Sequence, residues 1–265
     1  MDHHPAGYCF IVSTGRTGTQ ALARYLDAQA GVRAYHEPWP SRPLRIAANA
    51  YRAGSLSQAA MVRFLRWALG HGLSRTDGTT YVISCPYLRA CAELLPRVFP
   101  GASLIHIVRN PYTYIPSYLN HGVFHGVKGL VARRVPMWLL KPEHLEAEPL
   151  KHWVAMSPIE AVAWRWQALN NMIEAAYTAF PDRYLRLRFE DLFENDQPAL
   201  RDLALWLGLP NPEALMSASE QRHNATRARR HGPASQWSAE EVGIVSDYCG
   251  ELMTKYGYPL PEEPR

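Results

Sequence analysis

Five short apolar runs alternate with segments of helical periodicity, and this alternation constrains the fold of the chain more than any other feature. The runs are rich in Val, Ile, Phe and Tyr and are flanked by Gly or Pro, as buried strands are; they lie at residues 8–13, 33–36, 81–84, 104–108 and 184–189. Segments of helical periodicity occupy residues 19–28, 59–69, 88–99 and 159–180, and a last one follows at 238–256. The alternation predicts an α/β fold, a three-layer sandwich around a mainly parallel sheet of about five strands.

Local signals mark the starts of two of these helices. Ser157 precedes Pro158, and Pro is favoured at the first position of a helix. Ser238 is a good N-cap, and the two acidic residues Glu240 and Glu241 would lie in the positive first turn. Both segments are therefore predicted to begin at these serines.

The length of 265 residues fits a single domain spanning residues 1–265. Two parts fit the strand and helix pattern poorly: residues 39–54 are rich in Pro and Arg, and residues 121–153 mix Gly, Pro, His and Trp. Because both follow core strands, the stretches 39–79 and 121–157 are predicted to be lids or acceptor-binding segments. The alternative is that they are ordinary surface connections.

The positive charges exclude one large class of nucleotide-binding protein. Of the 28 basic residues only four are lysines, at positions 128, 141, 151 and 255, and none follows a glycine. A Walker-A site needs a Lys directly after a Gly-rich turn, so an ATPase or GTPase of that type is excluded. The net charge of +4 permits anionic ligands but does not indicate a nucleic-acid partner.

The cysteines and the hydropathy pattern predict a cytoplasmic protein. The four cysteines form no C-x-x-C pair, the polar start resembles no secretory signal, and no apolar stretch is long enough to span a membrane. We therefore expect reduced thiols and no transmembrane segment, whereas the oligomeric state is not predicted.

The first strand runs into a turn suited to binding an anion. The turn contains Gly15, Arg16, Thr17 and Gly18, and the next helix starts at Thr19. Backbone N–H groups converge at the N-terminus of a helix, and Arg and Thr side chains add donors for phosphate oxygens. The alternative is a tight connection between strand and helix.

A second candidate anion site follows the strand at 104–108. Arg109 lies at its carboxyl end, where open parallel sheets bind ligands, and Ser117 lies eight positions later on a predicted helix. The alternative is that Arg109 pairs with a neighbouring acid such as Asp191.

Taken together, these two segments resemble the sulfotransferases that use 3′-phosphoadenosine-5′-phosphosulfate (PAPS). In that family a loop of the form K/R-x-G-T after the first strand binds the 5′-phosphosulfate, and residues 16–20 match it. A strand that ends in R-x-P with a Ser eight residues after the Arg binds the 3′-phosphate; Arg109, Pro111 and Ser117 have this spacing. Residues 188–192 resemble the Y-E-D-L strand end of the family, and residues 230–237 resemble its late loop R-K-G-x-x-G-x-W.

The resemblance implies a set of nucleotide-binding residues. They are Gly15, Arg16, Thr17, Gly18, Thr19, Gln20, Arg109, Ser117, Phe189, Arg230, His231 and Gly232. Four of the positions depart from the family pattern. Gln20 stands where a second Thr is usual, Phe189 replaces a Tyr that contacts adenine, His231 replaces a Lys, and Ser235 replaces a Gly.

The resemblance also implies a reaction, the in-line transfer of a sulfuryl group from PAPS to a hydroxyl, or less readily an amine. Arg16 would stabilise the leaving phosphate, and no metal is required. Glu37 is the predicted base for the acceptor hydroxyl, with His36 as the alternative. The non-catalytic interpretation is that Glu37 forms a structural salt bridge and His36 is a core histidine.

Other functions remain open at this point. The chain could be a nucleotide-dependent kinase on a related fold, although it lacks a Walker Lys, or a nucleotide-binding protein without activity. The acceptor could be a sugar, a lipid or another small molecule. His121 and His125 have the spacing of zinc ligands on a helix, but the sequence offers no third ligand beside them.

Overall fold

Five parallel strands form the centre of the protein. The structure, a computed structural model, describes residues 7–70, 79–122, 134, 138–145, 153, 155–180, 182–194, 197–213, 215 and 232–260. Its strands are β1 (Tyr8–Ser13), β2 (Val32–His36), β3 (Thr80–Ser84), β4 (Ser103–Val108) and β5 (Tyr184–Arg188), in the sheet order β2-β3-β1-β4-β5. Every neighbouring pair is parallel, which confirms the predicted α/β fold.

Helices connect the strands and cover both faces of the sheet. The α-helices are α1 (Thr19–Asp27), α2 (Ser41–Arg52), α3 (Gln58–Gly70), α4 (Leu95–Val98), α5 (Pro111–Asn120), α6 (Pro158–Ala175), α7 (Phe189–Phe193), α8 (Pro198–Trp206) and α9 (Ala239–Lys255). Short 3₁₀ helices lie at Pro86–Leu94, Pro142–His144, Tyr177–Ala179 and Ala234–Gln236. Among the described residues, no helix is both long and apolar enough to cross a bilayer.

The inner strands β1, β3 and β4 are buried because each face of the sheet packs against a different set of helices. Phe10 and Val12 of β1 are fully buried in one cluster, which also holds apolar residues of α2, α3 and α6. Ile11, between them, is fully buried on the opposite face with residues of α1 and α8. This gives the three layers predicted from the sequence.

Both predicted helix starts are confirmed. Ser157 Oγ accepts a hydrogen bond from the N–H of Glu160 at 3.1 Å, and Glu160 accepts one from the N–H of Ser157 in return. Ser238 and Glu241 form the same reciprocal pair at the start of α9. These side chains thus accept hydrogen bonds from backbone N–H groups that have no partner within the helix.

Three predicted elements differ from the structure in their extent. Residues 88–99 do not form one α-helix: a 3₁₀ helix precedes the single turn of α4, and the backbone at Cys91 is not helical (φ −144°). The segment predicted as one helix over 159–180 is α6 followed by a separate 3₁₀ turn. The fifth strand ends at Arg188, and Phe189 begins α7 instead of closing the strand.

The stretch 39–54 is more regular than its composition indicates. Most of it is helix α2, with Pro43 in the first turn, where a missing N–H costs nothing. Leu44 and Ala48 are fully buried in the core, and α2 packs on α3 and on the 3₁₀ helix after β3. This stretch is therefore integrated into the domain.

Candidate active site

A cavity of about 1060 Å³ lies at the carboxyl ends of the parallel strands. The turn after β1 and the residues that follow β2, β3 and β4 contribute to its wall, as expected for ligand sites in open α/β sheets. The predicted site residues that line it are Gly15, Arg16, Thr17, Gly18, Thr19, Gln20, His36, Glu37, Arg109, Ser117, Phe189 and Gly232. Arg230 and His231 lie outside the described residues, as does His125.

The turn after β1 has a backbone that only a few residue types tolerate. Gly15, Arg16 and Gly18 all have positive φ, of 87°, 56° and 71°. A Cβ on Gly18 would collide with the ring of Phe193, whereas one on Gly15 would meet nothing within 4 Å. Gly18 is thus required twice, for its conformation and for its lack of a side chain.

Unpaired polar groups surround this turn. The hydroxyl oxygens of Thr14 and Thr17 are buried without a hydrogen-bond partner among the described residues. Gly18 caps α1 and offers no side chain to the N–H groups of its first turn. Buried hydroxyls and free N–H groups at a helix N-terminus match the oxygens of a phosphate or sulfate group, so the turn fits the anionic end of the nucleotide that the resemblance implies.

Arg109 is held against the same turn from β4. Its Nη1 donates to the carbonyl oxygen of Arg16 at 2.8 Å, and its Nε donates to Thr113 Oγ1 at 3.1 Å. The guanidinium carbon lies 4.1 Å from the centre of the Phe189 ring. The two predicted anion sites are therefore neighbours in one cavity.

The alternative pairing of Arg109 with Asp191 is wrong. Asp191 instead forms a two-point ion pair with Arg188, with Nε–Oδ2 and Nη2–Oδ1 distances of 2.6 and 2.9 Å. The adjacent carboxylate, that of Glu190, accepts hydrogen bonds from the N–H of Asn110 and from the Tyr258 hydroxyl. These contacts fix the backbone that follows β4 and leave the Arg109 side chain facing the cavity.

Glu37 enters the cavity from the end of β2 in a strained conformation. Its φ is 46°, a value that is uncommon outside Gly and Asn, and its N–H donates to the carbonyl oxygen of Ser84 at 2.9 Å. The carboxylate is about one-third exposed and lies 3.9 Å from His36 Nε2. His36 Nδ1 lies 3.2 Å from Ser84 Oγ, and burial lowers the pKa of this imidazole although Glu37 acts in the opposite direction.

The described lining of the cavity carries far more positive than negative charge. Glu37 is the one Asp or Glu among these residues. The arginines that line it are Arg16, Arg24, Arg45, Arg89, Arg109 and Arg165. Such an excess makes the cavity a site for anionic ligands.

Sequence reasoning missed four of these arginines, Arg24, Arg45, Arg89 and Arg165, and the last two are buried. Arg89 and Arg165 are 8% and 2% exposed, and they donate to the carbonyl oxygens of Ser13 and Leu140 at 3.3 and 2.8 Å. Burial and then the charge of Arg165 lower the pKa of Arg89. A signal for Arg165 was present, since it stands between two tryptophans on a largely buried helix, but no local pattern distinguishes Arg89.

Other described residues add apolar and titratable groups to the wall. Trp138 lies under the Arg45 guanidinium at 3.9 Å, and Tyr87 lies 5.5 Å from the same group. His121, at the end of α5, also lines the cavity, and burial followed by the charge of Arg16 lowers its pKa. Within the described residues, no three His, Cys, Asp or Glu side chains are grouped as metal ligands would be.

Comparison with known proteins identifies relatives of the chain. A sequence model described as "Sulfotransferase family" matches residues 9–213. The omega-hydroxy-beta-dihydromenaquinone-9 sulfotransferases of Mycobacterium bovis and Mycobacterium tuberculosis are each 28% identical to the chain over 189 residues. The match covers 70% of this chain and 44% of each relative, so the chain spans less than half of their length.

Solved structures share the fold at low sequence identity. The sulfotransferase domain from the curacin biosynthetic pathway superposes with a TM-score of 0.56 at 14% identity, covering 98% of this chain and all of that domain. The domain from the Synechococcus PCC 7002 olefin synthase gives 0.54 at 15% identity, and a sulfotransferase from Alicyclobacillus acidocaldarius gives 0.51 at 14%. Each of these two comparisons covers 98% of both chains.

Proposed function

Because the chain belongs to the sulfotransferase family, we propose that it transfers a sulfuryl group from PAPS to the hydroxyl of an acceptor. The observation that carries this proposal is the composition of the cavity wall. The turn after β1 carries Arg16 and the buried hydroxyls of Thr14 and Thr17, which have no hydrogen-bond partner among the described residues. It lies in the same cavity as Glu37, the one carboxylate of the described lining. This combines an anion site with a candidate base, which a sulfuryl transfer requires.

The residues that would hold the nucleotide come from three elements. The turn of residues 15–20 would bind the 5′-phosphosulfate through its N–H groups and through Thr17 and Thr19. Arg109 and Ser117 would bind the 3′-phosphate, and Phe189 would lie along the adenine. The resemblance implies that Arg230, His231 and Gly232 also bind the nucleotide.

The chemistry of transfer divides between Arg16 and Glu37. When bound, the nucleotide supplies the sulfuryl group and a phosphate that leaves. Arg16 keeps its charge at all relevant pH values, so it stabilises the negative charge that develops on the leaving oxygen without donating a proton. Glu37 accepts the proton of the acceptor hydroxyl while the acceptor oxygen bonds to sulfur. His36, which contacts both Glu37 and Ser84, orients the carboxylate or replaces it as base.

We propose a lipid-like alcohol as the acceptor. The mycobacterial relatives are named for a hydroxylated menaquinone, a lipid. Trp138, Leu139 and Leu140 give the cavity an apolar wall beside its arginines. Both stretches predicted as lids or acceptor-binding segments reach the cavity wall. The stretch 39–79 contributes Arg45 and Asn49, and the stretch 121–157 contributes Trp138. This supports acceptor binding within a single domain of residues 1–265.

We also propose that the protein works in the cytoplasm. Its four cysteines are buried free thiols, as expected in a reducing compartment.

Binding of the product nucleotide tests the donor site. We expect 3′-phosphoadenosine-5′-phosphate to raise the melting temperature without Mg²⁺, and Arg16→Ala to remove most of this shift. Arg201→Ala, at an exposed position that is not among the described lining residues, is the matched control and should keep the shift. A larger shift with Mg-ATP than with the bisphosphate would favour a kinase and overturn the proposal.

Transfer of labelled sulfate tests the reaction. Purified protein, labelled PAPS and a lipid extract should yield a labelled lipid, and the Arg16→Ala variant should yield at least about 100-fold less label. Label that appears only in a water-soluble extract would refute the lipid acceptor while leaving the transferase function intact. No label in any extract, despite bisphosphate binding, would indicate a nucleotide-binding protein without this activity.

A further inference from the structure

Exposed apolar side chains are concentrated on one side of the molecule. The described residues include eight large hydrophobic side chains that are exposed, and five of them lie in β2, in α2 and α3, or beside them: Tyr35, Trp39, Ile46, Trp67 and Trp138. Trp39 is 80% exposed, which is the most of all eight. Single exposed apolar residues are ordinary, but such a cluster marks an interaction surface.

Ring contacts join the two exposed tryptophans of this segment. The rings of Trp39 and Trp67 lie 5.7 Å apart, and Phe64 lies 5.5 Å from Trp67. Trp39 precedes α2 and Trp67 lies on α3, and these two helices pack against each other. We call the surface made by Trp39, Arg42, Ile46, Arg63 and Trp67 the tryptophan face.

The same segment is strongly and uniformly positive. Residues 38–70 contain five arginines and no Asp, Glu or Lys. Arg52 pairs with Glu93, and Arg45 lies over Trp138 at the cavity. Arg42 and Arg63 are exposed instead, and they stand four residues before Ile46 and Trp67, so they share the faces of those side chains.

The tryptophan face adjoins the opening of the cavity. Trp39 follows Glu37 by two residues, and α2 carries both Ile46 on the face and Arg45 in the cavity wall. Trp138 connects the two regions, because it lines the cavity and is 43% exposed.

We propose that the tryptophan face docks the protein on the surface of an anionic lipid bilayer. Tryptophan prefers the interface between lipid and water, where its ring is apolar and its N–H is hydrated. Arginines beside it are attracted to anionic headgroups while their methylene stems cover apolar surface. Docking in this way turns the opening of the cavity towards the membrane.

The charge of the face argues against a second copy of the chain as its occupant. In a twofold dimer the face would meet itself and bring Arg42 and Arg63 close to their own copies without a carboxylate from residues 38–70 to compensate. An anionic bilayer supplies the compensating charge instead. The proposal concerns binding alone and holds whatever reaction the cavity catalyses.

Vesicle co-sedimentation of the purified chain tests the proposal. We expect binding to vesicles of phosphatidylcholine mixed with phosphatidylglycerol, little binding to phosphatidylcholine alone, and weaker binding at high salt. The double variant Trp39→Ser/Trp67→Ser should bind at least about tenfold more weakly, and so should Arg42→Gln/Arg63→Gln, since each arginine near an anionic surface contributes severalfold.

Matched controls separate docking from loss of fold. Tyr177→Ser/Leu205→Ser removes two exposed hydrophobic residues elsewhere, Arg201→Gln removes a remote charge, and both should bind as the parent does. All variants are compared by melting temperature, and retained bisphosphate binding shows that the cavity is intact. Lack of vesicle binding by the parent overturns the proposal, as does binding that the face variants do not weaken. A dimer in solution that the same variants dissociate would assign the face to self-association and also overturn it.

Discussion

At the scale of single residues, strained backbone conformations coincide with the candidate chemistry. The four non-glycine residues described with positive φ are Arg16, Glu37, Asp182 and Gln197, and all but Asp182 line the cavity. A left-handed conformation costs a residue with a Cβ about 1 kcal/mol or more. The folded state therefore carries a conformational cost at Arg16 and Glu37, and this supports the proposal that they are functional residues.

Replacement of the Glu37 carboxylate tests its role as base. Glu37→Gln keeps the size of the side chain but removes its basicity, so we expect sulfuryl transfer to fall at least about 100-fold. His36→Asn is the comparison and should reduce transfer less, since it changes the orientation of the base but not its identity. Both variants should keep their thermal shift with the bisphosphate. A Glu37→Gln enzyme of full activity would exclude Glu37 as the base, and selective loss in His36→Asn would transfer that role to His36.

The two glycines of the turn make a matched pair for a second prediction. Both have positive φ, but only Gly18 lacks room for a Cβ, because the ring of Phe193 occupies that space. Gly15→Ala should cost about 1 kcal/mol from conformation alone. Gly18→Ala should destabilise the protein more and weaken bisphosphate binding more strongly, which urea unfolding and calorimetry can measure. Equal effects in the two variants would show that the packing against Phe193 is unimportant.

The sequence predicts the residues of the proposed donor site better than the other residues that line the cavity. Arg16, Arg109 and Ser117 are found by short motifs, because a strand that ends in a turn places its next residues at the edge of the sheet. Arg89 and Arg165 come together only through the packing of α6 on the segment after β3, and nothing in the adjacent sequence encodes that packing.

At the scale of elements, a buried polar network ties β4 and β5 to α6 and α9. Glu174 of α6 accepts a hydrogen bond from Arg186 at 3.0 Å and pairs with Lys255 at 2.7 Å, and the Tyr184 hydroxyl oxygen lies 3.3 Å from its Oε1. Burial raises the pKa of this carboxyl, but the hydrogen bonds from Lys255 and Arg186 act against it, and the pKa lies well below its usual range. The network joins elements that are distant in the sequence.

Loss of the Glu174 charge should destabilise the domain. Glu174→Gln leaves the partly exposed Arg186 and Lys255 without the counter-charge of this largely buried carboxylate, so we expect a loss of about 1 kcal/mol in urea unfolding at neutral pH. Glu213→Gln is the control, because Glu213 and Arg201 are both well exposed and 4.0 Å apart, and its stability should hardly change. Equal stability of the two variants would mean that the network is only a consequence of packing.

His106 in the same network predicts how stability depends on pH. Asn170 Nδ2 donates to the Trp166 carbonyl, so its Oδ1 accepts from His106 Nε2–H and the Tyr184 hydroxyl donates to Nδ1. The imidazole is therefore neutral, and burial lowers its pKa below 6.5. A histidine with a lowered pKa contributes stability that is present above about pH 6.5 and is lost as the pH falls.

The measurement is the free energy of unfolding between about pH 7.5 and pH 5. The parent should lose stability over this range, and His106→Gln should show a flatter profile although it is less stable at neutral pH. Glu174 adds an acid loss of the same sign at lower pH, below about 4.5, because its pKa is depressed. Profiles that remain parallel from neutral pH to pH 5 would exclude His106 as the titrating group.

Strands and helices are predicted correctly from the sequence where their burial produces a regular apolar pattern, and they are missed where it does not. All five strands are found within one residue or so: β1, β3 and β4 are almost entirely buried and mostly apolar, whereas the edge strands β2 and β5 are only partly buried. Helix α2 is missed because its arginines and Pro43 mask an apolar stripe of Leu44 and Ala48. The 3₁₀ helix after β3 has no distinct periodicity, and its shape depends on contacts with α2 and α6.

At the scale of the whole molecule, the positive charge is concentrated where the ligands would bind. The net charge of the chain is only +4, yet the described cavity wall holds six arginines and one carboxylate. None of the other acidic side chains that the structure describes lines this wall. A cavity of this kind focuses its field and attracts an anionic nucleotide.

This distribution predicts that the affinity for 3′-phosphoadenosine-5′-phosphate depends strongly on ionic strength. At 0.1 M salt, electrostatic attraction is largely screened beyond about 10 Å. Calorimetry should therefore show a steep loss of affinity for the bisphosphate as the NaCl concentration rises. Arg109→Gln should bind more weakly at low salt and also show a shallower salt dependence, because it removes one attractive charge from the cavity. Arg201→Gln, which removes an exposed charge remote from the wall, should keep the slope of the parent. If Arg109→Gln and the parent have the same slope, the arginines of the wall do not act through charge, and the hydrogen bonds of the turn after β1 must supply the affinity.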